Sequence, residues 1–312
     1  MAPRCVQLLC TLAVFVAILA VYFPTRHARH YVYISPEDAV KEIVLNRQEK
    51  IPKNLPNCSY NQVLLTSKLI DINEIGDRQK GFITPKRGGE YEPSGCIPMI
   101  KSAIIIPYRN RSEQLNIFLN YMHKFLQQQN IHYKIIVVEQ NDTLPFNRAK
   151  MINFGAQYAL GLNYTCLILH DVDLIPLTTG NLYGCTYRPR HMSSSLDTFR
   201  YNLPYLTLFG GAISILSNQF QSINGMSNLF YGWGGEDDDF YKRLEAINLL
   251  PYRFAPELSK YTMLMHKKQQ VVDNKRFDKL ENSLENMSDG LSSLNRKYSV
   301  YLEDLYTKVV SF

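Results

Sequence analysis

Two short acidic segments carry the residue types that could do chemistry in this chain. The first, residues 170–173, reads HDVD and places Asp171 and Asp173 at alternate positions directly after a short apolar run. Carboxylate oxygens are the ligands that hard divalent ions such as Mg²⁺ or Mn²⁺ prefer, and an ion held here could neutralise charge on a leaving diphosphate. The alternative is a solvated loop with a capping aspartate, because Asp-x-Asp is a short and frequent pattern.

The second acidic segment, residues 232–239, reads GWGGEDDD. Its glycines allow backbone conformations that bring the chain close to a ligand. Acidic residues in the first turn of a helix are favoured by the helix dipole, but four in a row exceed that need because like charges repel. We therefore interpret one of the four as a general base. It would lie near Trp233, the only tryptophan of the chain, which could be either a core residue or a stacking platform.

Two basic segments could bind a phosphate group. Residues 108–111 read YRNR and follow the first predicted strand, and residues 146–150 read FNRAK at the start of a predicted helix. Helix N-termini and arginine side chains both bind anions well. Each segment alone could equally be a surface salt-bridge partner, but their shared position beyond strand ends favours an anion site. A lone histidine such as His266 is usually only a hydrogen-bonding side chain.

The elements that must position these segments alternate between strand and helix. Short apolar runs predict strands at residues 103–107, 133–139 and 166–169. Helical spacing predicts one helix after Asn110, which would form a capping box with Glu113, and a second helix over residues 148–160. Consecutive βαβ units of this kind predict a parallel, doubly wound sheet, whose ligand site lies at the carboxyl ends of the strands.

Length and composition limit the remaining possibilities. With 312 residues, of which 46% are hydrophobic, the chain is long enough for one large domain with a sizeable core and appendages. The formal net charge of +6 suits anionic small ligands. It forms no basic stripe of the kind that binds nucleic acid, so we expect no nucleic-acid partner.

The N-terminus carries one long apolar run, residues 5–23, interrupted only by Gln7 and Thr11. Its length is close to the ~20 residues that cross a bilayer as a helix. A cleaved signal peptide is the alternative, although its apolar core is usually shorter, and the flanking basic residues leave the orientation open. We expect a tail at 1–4, a membrane anchor at 5–23, a stem and lead-in region at 24–95 and a catalytic domain at 96–312.

The six cysteines fall into two groups. Cys5 and Cys10 lie within the apolar run. The other four form an even set without a CxxC pair, downstream of a membrane signal, and this predicts two disulfides in an oxidising lumen. These four are Cys58, Cys96, Cys166 and Cys185.

From Cys96 to about Leu294 the chain resembles the β-1,4-galactosyltransferase family. The resemblance rests on segments in order: IPYRNR at 106–111, FNRAK at 146–150, DVDLIP at 171–176, PRH at 189–191, FGG at 209–211, GWGGEDDD at 232–239 and SDGL at 288–291. It implies an α/β fold of the GT-A type, Rossmann-like with a mostly parallel sheet, preceded by an N-terminal transmembrane helix and stem. It also implies a single-pass type II protein of the Golgi membrane, with a cytosolic tail, a lumenal catalytic domain and inversion at the sugar anomeric carbon.

The same resemblance implies roles for individual residues. A Mn²⁺ ion would be bound by Asp173, Met263 and His266. A thioether ligand runs against the usual oxygen preference of this ion, so Met263 rests on the resemblance alone. Asp237 matches the catalytic base, with Glu236 beside it.

Two further sets of residues match the substrate positions of the family. On the donor side these are Pro107, Arg109, Arg111, Phe146, Arg148, Asp171, Val172, Leu208 and Trp233. On the acceptor side these are Tyr205, Gly235, Asp238, Arg276, Phe277 and Leu280. The resemblance also implies the disulfide pairing, Cys58 with Cys96 and Cys166 with Cys185.

Two positions depart from the family pattern. His170 occupies a place that is usually small, which could perturb the metal loop. Leu208 stands where vertebrate galactose-transferring members resemble one another in having tyrosine, beside the C2 substituent of the donor sugar. A leucine leaves an apolar pocket for an acetamido methyl, as in invertebrate members that look like N-acetylgalactosaminyltransferases, and such contacts are worth ~1–3 kcal/mol in selectivity. The alternative is that Leu208 only packs in the core, with donor choice set elsewhere.

We therefore predict a manganese-dependent enzyme that moves GalNAc from UDP-GalNAc to O4 of a terminal GlcNAc on a glycoconjugate. UDP-galactose is the second donor candidate and UDP-GlcNAc the third. The rival from another class is an inactive, lectin-like member of the family.

Overall fold

Eight α-helices and eleven strands make up the described part of the chain. The computed structural model describes residues 3–27, 31–45, 55–75, 81–266, 273, 275–285, 287–295 and 297–312. The helices are α1 (Pro3–His27), α2 (Pro36–Glu42), α3 (Asn61–Leu65), α4 (Ser112–Gln127), α5 (Arg148–Gly161), α6 (Ser217–Ser222), α7 (Glu236–Ala246) and α8 (Arg276–Glu281). The strands are β1 (Glu90–Tyr91), β2 (Lys101–Tyr108), β3 (His132–Gln140), β4 (Cys166–His170), β5 (Leu174–Pro176), β6 (Arg190–His191), β7 (Ser195–Leu196), β8 (Ala212–Leu216), β9 (Lys260–Met263), β10 (Tyr298–Leu302) and β11 (Thr307–Ser311).

The main sheet has eight strands in the order β10-β11-β3-β2-β4-β8-β6, with β1 also paired to β3. Strands β11, β3, β2 and β4 are parallel, so that Ile105 of β2 lies opposite Ile136 of β3 and Leu169 of β4. Strands β1, β6, β8 and β10 run antiparallel to their neighbours. Residues 102–107 of β2 are all buried, as expected for a strand that is covered on both faces.

The α/β class predicted from the sequence is confirmed, but the sheet is mixed rather than mostly parallel. A parallel neighbour needs a crossover of a dozen or more residues, usually a helix. Helices α4 and α5 provide such crossovers between β2, β3 and β4. Between β4 and β8 the chain forms only short strands and the 3-10 turn Asp197–Phe199. Strand β8 therefore returns antiparallel to β4, with Ala212 opposite His170.

Helix α4 covers one face of the sheet and α5 covers the other. Phe118 and Met122 of α4 belong to one buried core, and Met151 and Phe154 of α5 belong to the other. The strands and helices predicted for this region are confirmed within a few residues.

The capping box predicted at the start of α4 is wrong. Arg111 occupies the N-cap position and makes no side-chain cap hydrogen bond. Asn110 instead adopts a left-handed φ of 52°, a conformation that asparagine tolerates better than most residues. The YRNR segment therefore turns sharply after β2 before the helix begins.

A second sheet of three strands, in the order β5-β9-β7, continues from the DVD segment. Leu174 of β5 lies opposite Met263 of β9. The backbone N–H of Leu264 donates to the carbonyl oxygen of Asp173 at 2.7 Å. This sheet therefore brings the segment around residue 263 beside Asp173.

The region predicted as a stem contains structure that packs on the sheet domain. The N–H of Ile34 donates to the Arg253 carbonyl at 2.9 Å, and the N–H of Val44 donates to the Cys185 carbonyl at 2.9 Å. Ala39 of α2 is fully buried. The two disulfides form as the resemblance implied, Cys58 with Cys96 and Cys166 with Cys185.

Helix α1 exposes its apolar side chains, and Leu8 is 74% exposed. Among the residues for which side chains are described, no helix combines the length and the hydropathy needed to cross a bilayer. The membrane anchor stays a prediction.

Candidate active site

The DVD segment is held at the carboxyl end of β4, where an α/β sheet presents its ligands. The N–H of Asp171 donates to the Gly211 carbonyl at 3.3 Å, and the N–H of Leu174 donates to the Asp171 carbonyl at 3.3 Å. Val172 is buried. The backbone of this segment is therefore constrained on both sides of Asp173.

The three predicted metal ligands come together. His266 Nδ1 lies 3.0 Å from Asp173 Oδ2. Met263 lies opposite Leu174, the residue that follows Asp173 in the chain. The described residues hold no group of three or more His, Cys, Asp or Glu side chains able to bind a metal ion. The set here consists of one carboxylate, one imidazole and one thioether.

The electrostatics of Asp173 fit a bound cation. Burial, followed by the nearby charge of Asp171, raises the pKa of Asp173 to about 6, while His266 and Arg111 oppose the shift. A divalent cation would offset both the burial and the repulsion between the two carboxylates. The charge of Asp173 and the oxygen and nitrogen donors therefore fit the predicted Mn²⁺, whereas the thioether of Met263 still rests on the resemblance alone.

Asp197 holds the end of β9, which carries Met263, in place through two hydrogen bonds. Asp197 was not identified from the sequence. Its Oδ1 accepts the N–H of Met263 at 3.2 Å, and its other oxygen accepts the hydroxyl of Thr262. Asp197 lies in a 3-10 turn far along the chain from β9. No local pattern distinguishes it from an ordinary surface aspartate.

The GWGGEDDD segment forms a loop and the first turn of α7, as predicted. Gly235 occupies the N-cap position with a left-handed φ of 100°, a conformation that favours glycine. Gly210 of the FGG segment lies against Asp237: a Cβ added there would stand 2.6 Å from Asp237 Oδ2. A side chain at position 210 would force the Asp237 carboxylate to move.

Burial shifts the pKa of both acids at the start of α7. Burial, followed by the charge of Asp237, raises the pKa of Glu236 to about 7. Burial, followed by the charge of Asp238, raises the pKa of Asp237, and Arg148 opposes both shifts. Carboxylates with raised pKa values in one cluster are typical of groups that move protons.

The fourth acid of the segment has a structural partner instead. Asp239 is buried and pairs with Arg243, with Oδ2 and Nε 2.7 Å apart. Ser283 donates to its other oxygen at 2.5 Å. Arg243 also donates to the Asp289 carbonyl at 2.8 Å, which ties α7 to the SDGL segment.

Arg148 joins the two acidic segments. Its Nε lies 2.6 Å from Asp171 Oδ1, its Nη2 donates to the Gly211 carbonyl at 3.2 Å, and its Nη1 lies 3.9 Å from Glu236 Oε1. Arg148 Nη1 and Glu236 Oε2 are both buried without a hydrogen-bond partner. Buried polar atoms are rarely left in this state, so the pair indicates a place for a polar ligand.

The remaining donor-side residues lie at the ends of β2 and β4 and at the start of α5. The guanidinium of Arg109 stands 5.3 Å from the ring of Phe146 and donates to the Leu144 carbonyl at 2.6 Å. The positive charge of Arg111 acts to lower the pKa of Asp173. Pro107 is buried in β2. The N–H of Gly232 donates to the Phe146 carbonyl at 2.8 Å, which links this side to the acidic loop.

The acceptor-side residues form a neighbouring cluster on the surface. The guanidinium of Arg276 stands 5.5 Å from the ring of Trp233 and 4.7 Å from that of Phe277. Trp233 and Phe277 are each 63% exposed, so the tryptophan lies on the surface and not in the core. Tyr205 donates to Asp238 Oδ1 at 3.1 Å. Leu280 is half-buried, and its carbonyl accepts the ammonium of Lys242 at 2.6 Å.

The two departures from the family pattern are both accommodated. His170 is buried, and its ring nitrogens lie 2.8 Å from the Asp171 carbonyl and 2.8 Å from the Tyr183 hydroxyl. Burial lowers the pKa of His170 to about 4, so the ring is neutral and both of its nitrogens have partners. Leu208 is half-buried, and its N–H donates to the Tyr205 carbonyl at 3.3 Å.

Two sequence-family profiles match the chain in succession. The N-terminal region of glycosyl transferase group 7 matches residues 51–186, and the N-terminal domain of galactosyltransferase matches residues 190–267. Together these matches cover both acidic segments and all three predicted metal ligands.

Curated relatives match over most of the chain. β-1,4-Galactosyltransferase 1 of Mus musculus and that of Homo sapiens are each 40% identical to it over 265 residues, 82% of this chain and 66% and 67% of those proteins. β-1,4-Galactosyltransferase 5 of Homo sapiens is 41% identical over 229 residues, 72% of this chain and 59% of that protein. The chain thus spans about two thirds or less of these relatives.

Solved structures share the fold. The catalytic domain of Drosophila β-1,4-galactosyltransferase 7 in complex with xylobiose has a TM-score of 0.59 at 28% identity, covering 68% of this chain and 92% of that one. A mutant of the same enzyme in complex with manganese, UDP-Gal and xylobiose has a TM-score of 0.55 at 28% identity, with the same coverage.

Proposed function

The chain belongs to the β-1,4-galactosyltransferase family, and from that premise we propose that it is a Mn²⁺-dependent inverting glycosyltransferase. Its donor is UDP-GalNAc and its acceptor is the O4 hydroxyl of a terminal GlcNAc on a glycoconjugate. The proposal rests on the position of Arg148. This residue contacts Asp171 in the DVD segment and faces Glu236, which is next to the proposed base Asp237. One substrate can therefore reach both acidic segments.

Asp237 is the general base. Its carboxylate lies against Gly210 in a half-buried position beside Glu236, and it takes the proton from the acceptor hydroxyl as that oxygen attacks C1 of the donor sugar. Attack from the face opposite UDP inverts the anomeric carbon. Asp173, Met263 and His266 would hold Mn²⁺, which when bound supplies positive charge to stabilise the departing diphosphate.

Arg148 and Glu236 bind the donor hexose. Each has one buried polar atom without a partner, Nη1 of Arg148 and Oε2 of Glu236. Sugar hydroxyls donate and accept hydrogen bonds, so they can satisfy a guanidinium N–H and a carboxylate oxygen together. Arg109, Arg111 and Phe146 would bind the nucleotide part of the donor.

Leu208 selects the donor. It lies two residues before Gly210, which borders the base, and its side chain is half-buried. A leucine there accommodates the acetamido methyl of GalNAc, whereas a tyrosine would crowd it. UDP-galactose is the second candidate, because the relatives named above are galactosyltransferases and one solved relative binds UDP-Gal.

Phe277 and Arg276 bind the acceptor, and Trp233, matched above to the donor side, lies close enough to Arg276 to contact the acceptor as well. The two exposed rings and the guanidinium between them offer a flat apolar surface with a hydrogen-bond donor. Sugar rings stack on such aromatic surfaces through their C–H faces. Tyr205 and Asp238 would contact the acceptor hydroxyls from the other side.

A donor panel tests the proposal. Enzyme with Mn²⁺ and a GlcNAc acceptor should turn over UDP-GalNAc about 10- to 200-fold better than UDP-galactose, the selectivity expected for a pocket contact of this size. Leu208→Tyr should reverse the preference, and Leu206→Tyr, an exposed position in the same loop, should leave it unchanged. A wild-type preference for UDP-galactose would refute the role of Leu208. Absence of turnover with any UDP-sugar would instead favour an inactive, lectin-like member.

A matched pair of variants tests the base. Asp237→Asn should abolish turnover while donor binding, measured by calorimetry with UDP-sugar and Mn²⁺, persists. Glu245→Gln, an exposed acid on the same helix, should leave both unchanged. Retained turnover in Asp237→Asn would exclude this residue as the base.

We also propose that α1 anchors the protein in the Golgi membrane, with a cytosolic tail at 1–4 and a lumenal catalytic domain. The exposed apolar side chains of α1 support this, since a helix of this kind needs an apolar environment. Alkaline carbonate extraction should leave the full chain in the membrane pellet. Release into the supernatant would contradict the anchor.

A further inference from the structure

The loop at residues 203–208 carries residues for both substrates. Tyr205 is assigned to the acceptor and Leu208 to the donor. Tyr205 is 42% and Leu206 is 55% exposed. Leu203 is buried and Leu208 half-buried, but residues 204–207 are all exposed and depend on contacts from outside to hold one conformation.

Arg253 supplies such contacts. Its Nη2 donates to the Leu206 carbonyl at 2.8 Å and to the Leu208 carbonyl at 3.1 Å. The residue is 9% exposed, and its Nε is buried without a hydrogen-bond partner. Burying a guanidinium against neutral carbonyls is costly, so this arrangement contributes more to the geometry of the loop than to stability.

The segment that follows α1 completes the arrangement. The ring of Tyr31 lies 5.2 Å from the Arg253 guanidinium, and the Tyr31 hydroxyl donates to the Leu203 carbonyl at 3.2 Å. The N–H of Ile34 donates to the Arg253 carbonyl at 2.9 Å. Residues 31–34 therefore contact the loop directly through Tyr31 and indirectly through Arg253.

We propose that Tyr31 and Arg253 are positioning residues that set the conformation of residues 203–208, and with it acceptor affinity and donor selectivity. The inference rests on the proposed function, because it needs Tyr205 and Leu208 at the two substrate positions. Small displacements of a substrate-positioning group cost much activity. The segment 31–34, predicted as part of a stem, would then help to position the substrate-binding loop at 203–208.

The test uses three variants of the full chain and one matched control. Arg253→Met removes both carbonyl contacts, Arg253→Lys restores one donor, and Tyr31→Phe removes only the hydroxyl. Arg188→Met is the control: Arg188 likewise stands 4.6 Å from a ring, that of Tyr252, and donates to a carbonyl, that of Leu250, outside the loop.

The first readout is hydrogen exchange of the amides at 203–208, without any substrate. Hydrogen bonds to charged groups imply about 10-fold or greater acceleration in Arg253→Met, a smaller one in Arg253→Lys, and about 2- to 10-fold in Tyr31→Phe. Arg188→Met should exchange like the wild type. Unchanged exchange in Arg253→Met and Tyr31→Phe, or equal acceleration in the control, would overturn the proposal.

The second readout is kinetic. Arg253→Met and Tyr31→Phe should raise acceptor KM and shift the ratio of UDP-GalNAc to UDP-galactose turnover by about 3- to 10-fold, with Arg253→Lys partly restored. Faster exchange without a change in either quantity would overturn the positioning role. If Arg253→Met fails to fold, Tyr31→Phe decides by the same criteria. If the wild type turns over no UDP-sugar, the proposed function fails, whereas the exchange data still test the contact with the loop.

Discussion

At the scale of single residues, the acids of one helical turn do different things because their partners differ. Glu236 and Asp237 are half-buried neighbours, and both have raised pKa values. Asp238 accepts a hydrogen bond from Tyr205. Asp239 is neutralised by Arg243. Four adjacent acids in the sequence thus separate into two with raised pKa values, one hydrogen-bonded to a tyrosine and one in a buried ion pair.

The raised pKa of Asp237 predicts the acidic limb of the pH profile. A general base must be deprotonated, so kcat/KM should fall as the pH drops through a value above the ordinary aspartate range of about 3.9. Asp238→Asn removes the like charge that helps to raise this pKa and keeps an oxygen for Tyr205. The acidic limb should therefore move to lower pH, as measured by kcat/KM profiles at saturating Mn²⁺. A limb that stays in place, as in the Glu245→Gln control, would contradict the assignment.

The proposed metal ligands predict that Mn²⁺ stabilises the folded protein. Mn²⁺ at about 100 times its Kd should stabilise the folded protein by about 2.7 kcal/mol, because it binds the native state alone. Asp173→Asn should remove both this shift in melting temperature and turnover. Met263→Leu should keep the fold and weaken the shift. If Mn²⁺ stabilises Asp173→Asn as much as the wild type, the ion binds elsewhere.

At the scale of elements, residues 228–229, which lead into the GWGGEDDD segment, are held by contacts with segments that come earlier and later in the chain. Asn228 donates to Asp289 Oδ1 at 3.2 Å and to the Gly290 carbonyl at 2.8 Å, and Asn147 at the N-cap of α5 donates to the Asn228 carbonyl at 2.7 Å. Lys279 of α8 donates to the Leu229 carbonyl at 2.7 Å. The start of α7 is thereby placed relative to α5 and to Arg148.

The Asp239–Arg243 pair predicts a stability effect without a catalytic one. Arg243→Met leaves a buried carboxylate without its partner, which should lower the free energy of unfolding by about 3–5 kcal/mol. The double variant Asp239→Asn with Arg243→Met should recover part of this loss. Urea unfolding measures both effects. Arg243→Met should retain kcat at temperatures where it is folded, and loss of kcat in the folded variant would assign the pair a role in catalysis.

At the scale of the whole molecule, the chain before the catalytic domain is fastened to it. The Cys58–Cys96 disulfide joins residues 38 positions apart, and the N–H of Cys58 donates to the Ile97 carbonyl at 2.9 Å. Tyr60 is buried, and its hydroxyl accepts the N–H of Met99 at 2.8 Å. Much of the region predicted as stem therefore contributes to the folded body.

The Cys58–Cys96 disulfide predicts a measurable loss of stability when it is removed. Cys58→Ser with Cys96→Ser should lower the free energy of unfolding by about 4 kcal/mol, because the open chain gains conformational entropy when unfolded. Denaturant unfolding under oxidising conditions compares the variant with the wild type. The single variants serve as controls for the loss of each side chain alone. An unchanged midpoint in the double variant would show that this bridge does not constrain the unfolded chain.

Local patterns in the sequence were enough to predict the central strands and helices and to single out the two acidic segments. Apolar runs and helical spacing predicted β2, β3, β4 and α5 within a few residues, because these signals depend on neighbours in the chain. The two acidic segments were recognised for the same reason. The resemblance to a family added the metal set, which geometry then brought together at His266 and Asp173.

What only the tertiary structure decided depends on contacts between distant parts of the chain. Three features have no local pattern in the sequence. They are the antiparallel direction of β8, the hydrogen bond from β9 to Asp197, and the contact of Arg253 with the loop at 203–208. The resemblance singled out Asp237 as the base, but the pairing of Asp239 with Arg243 is likewise visible only in the folded chain. Residue type sets what a side chain can do, but its surroundings set its charge and its partner, and those are assembled only by folding.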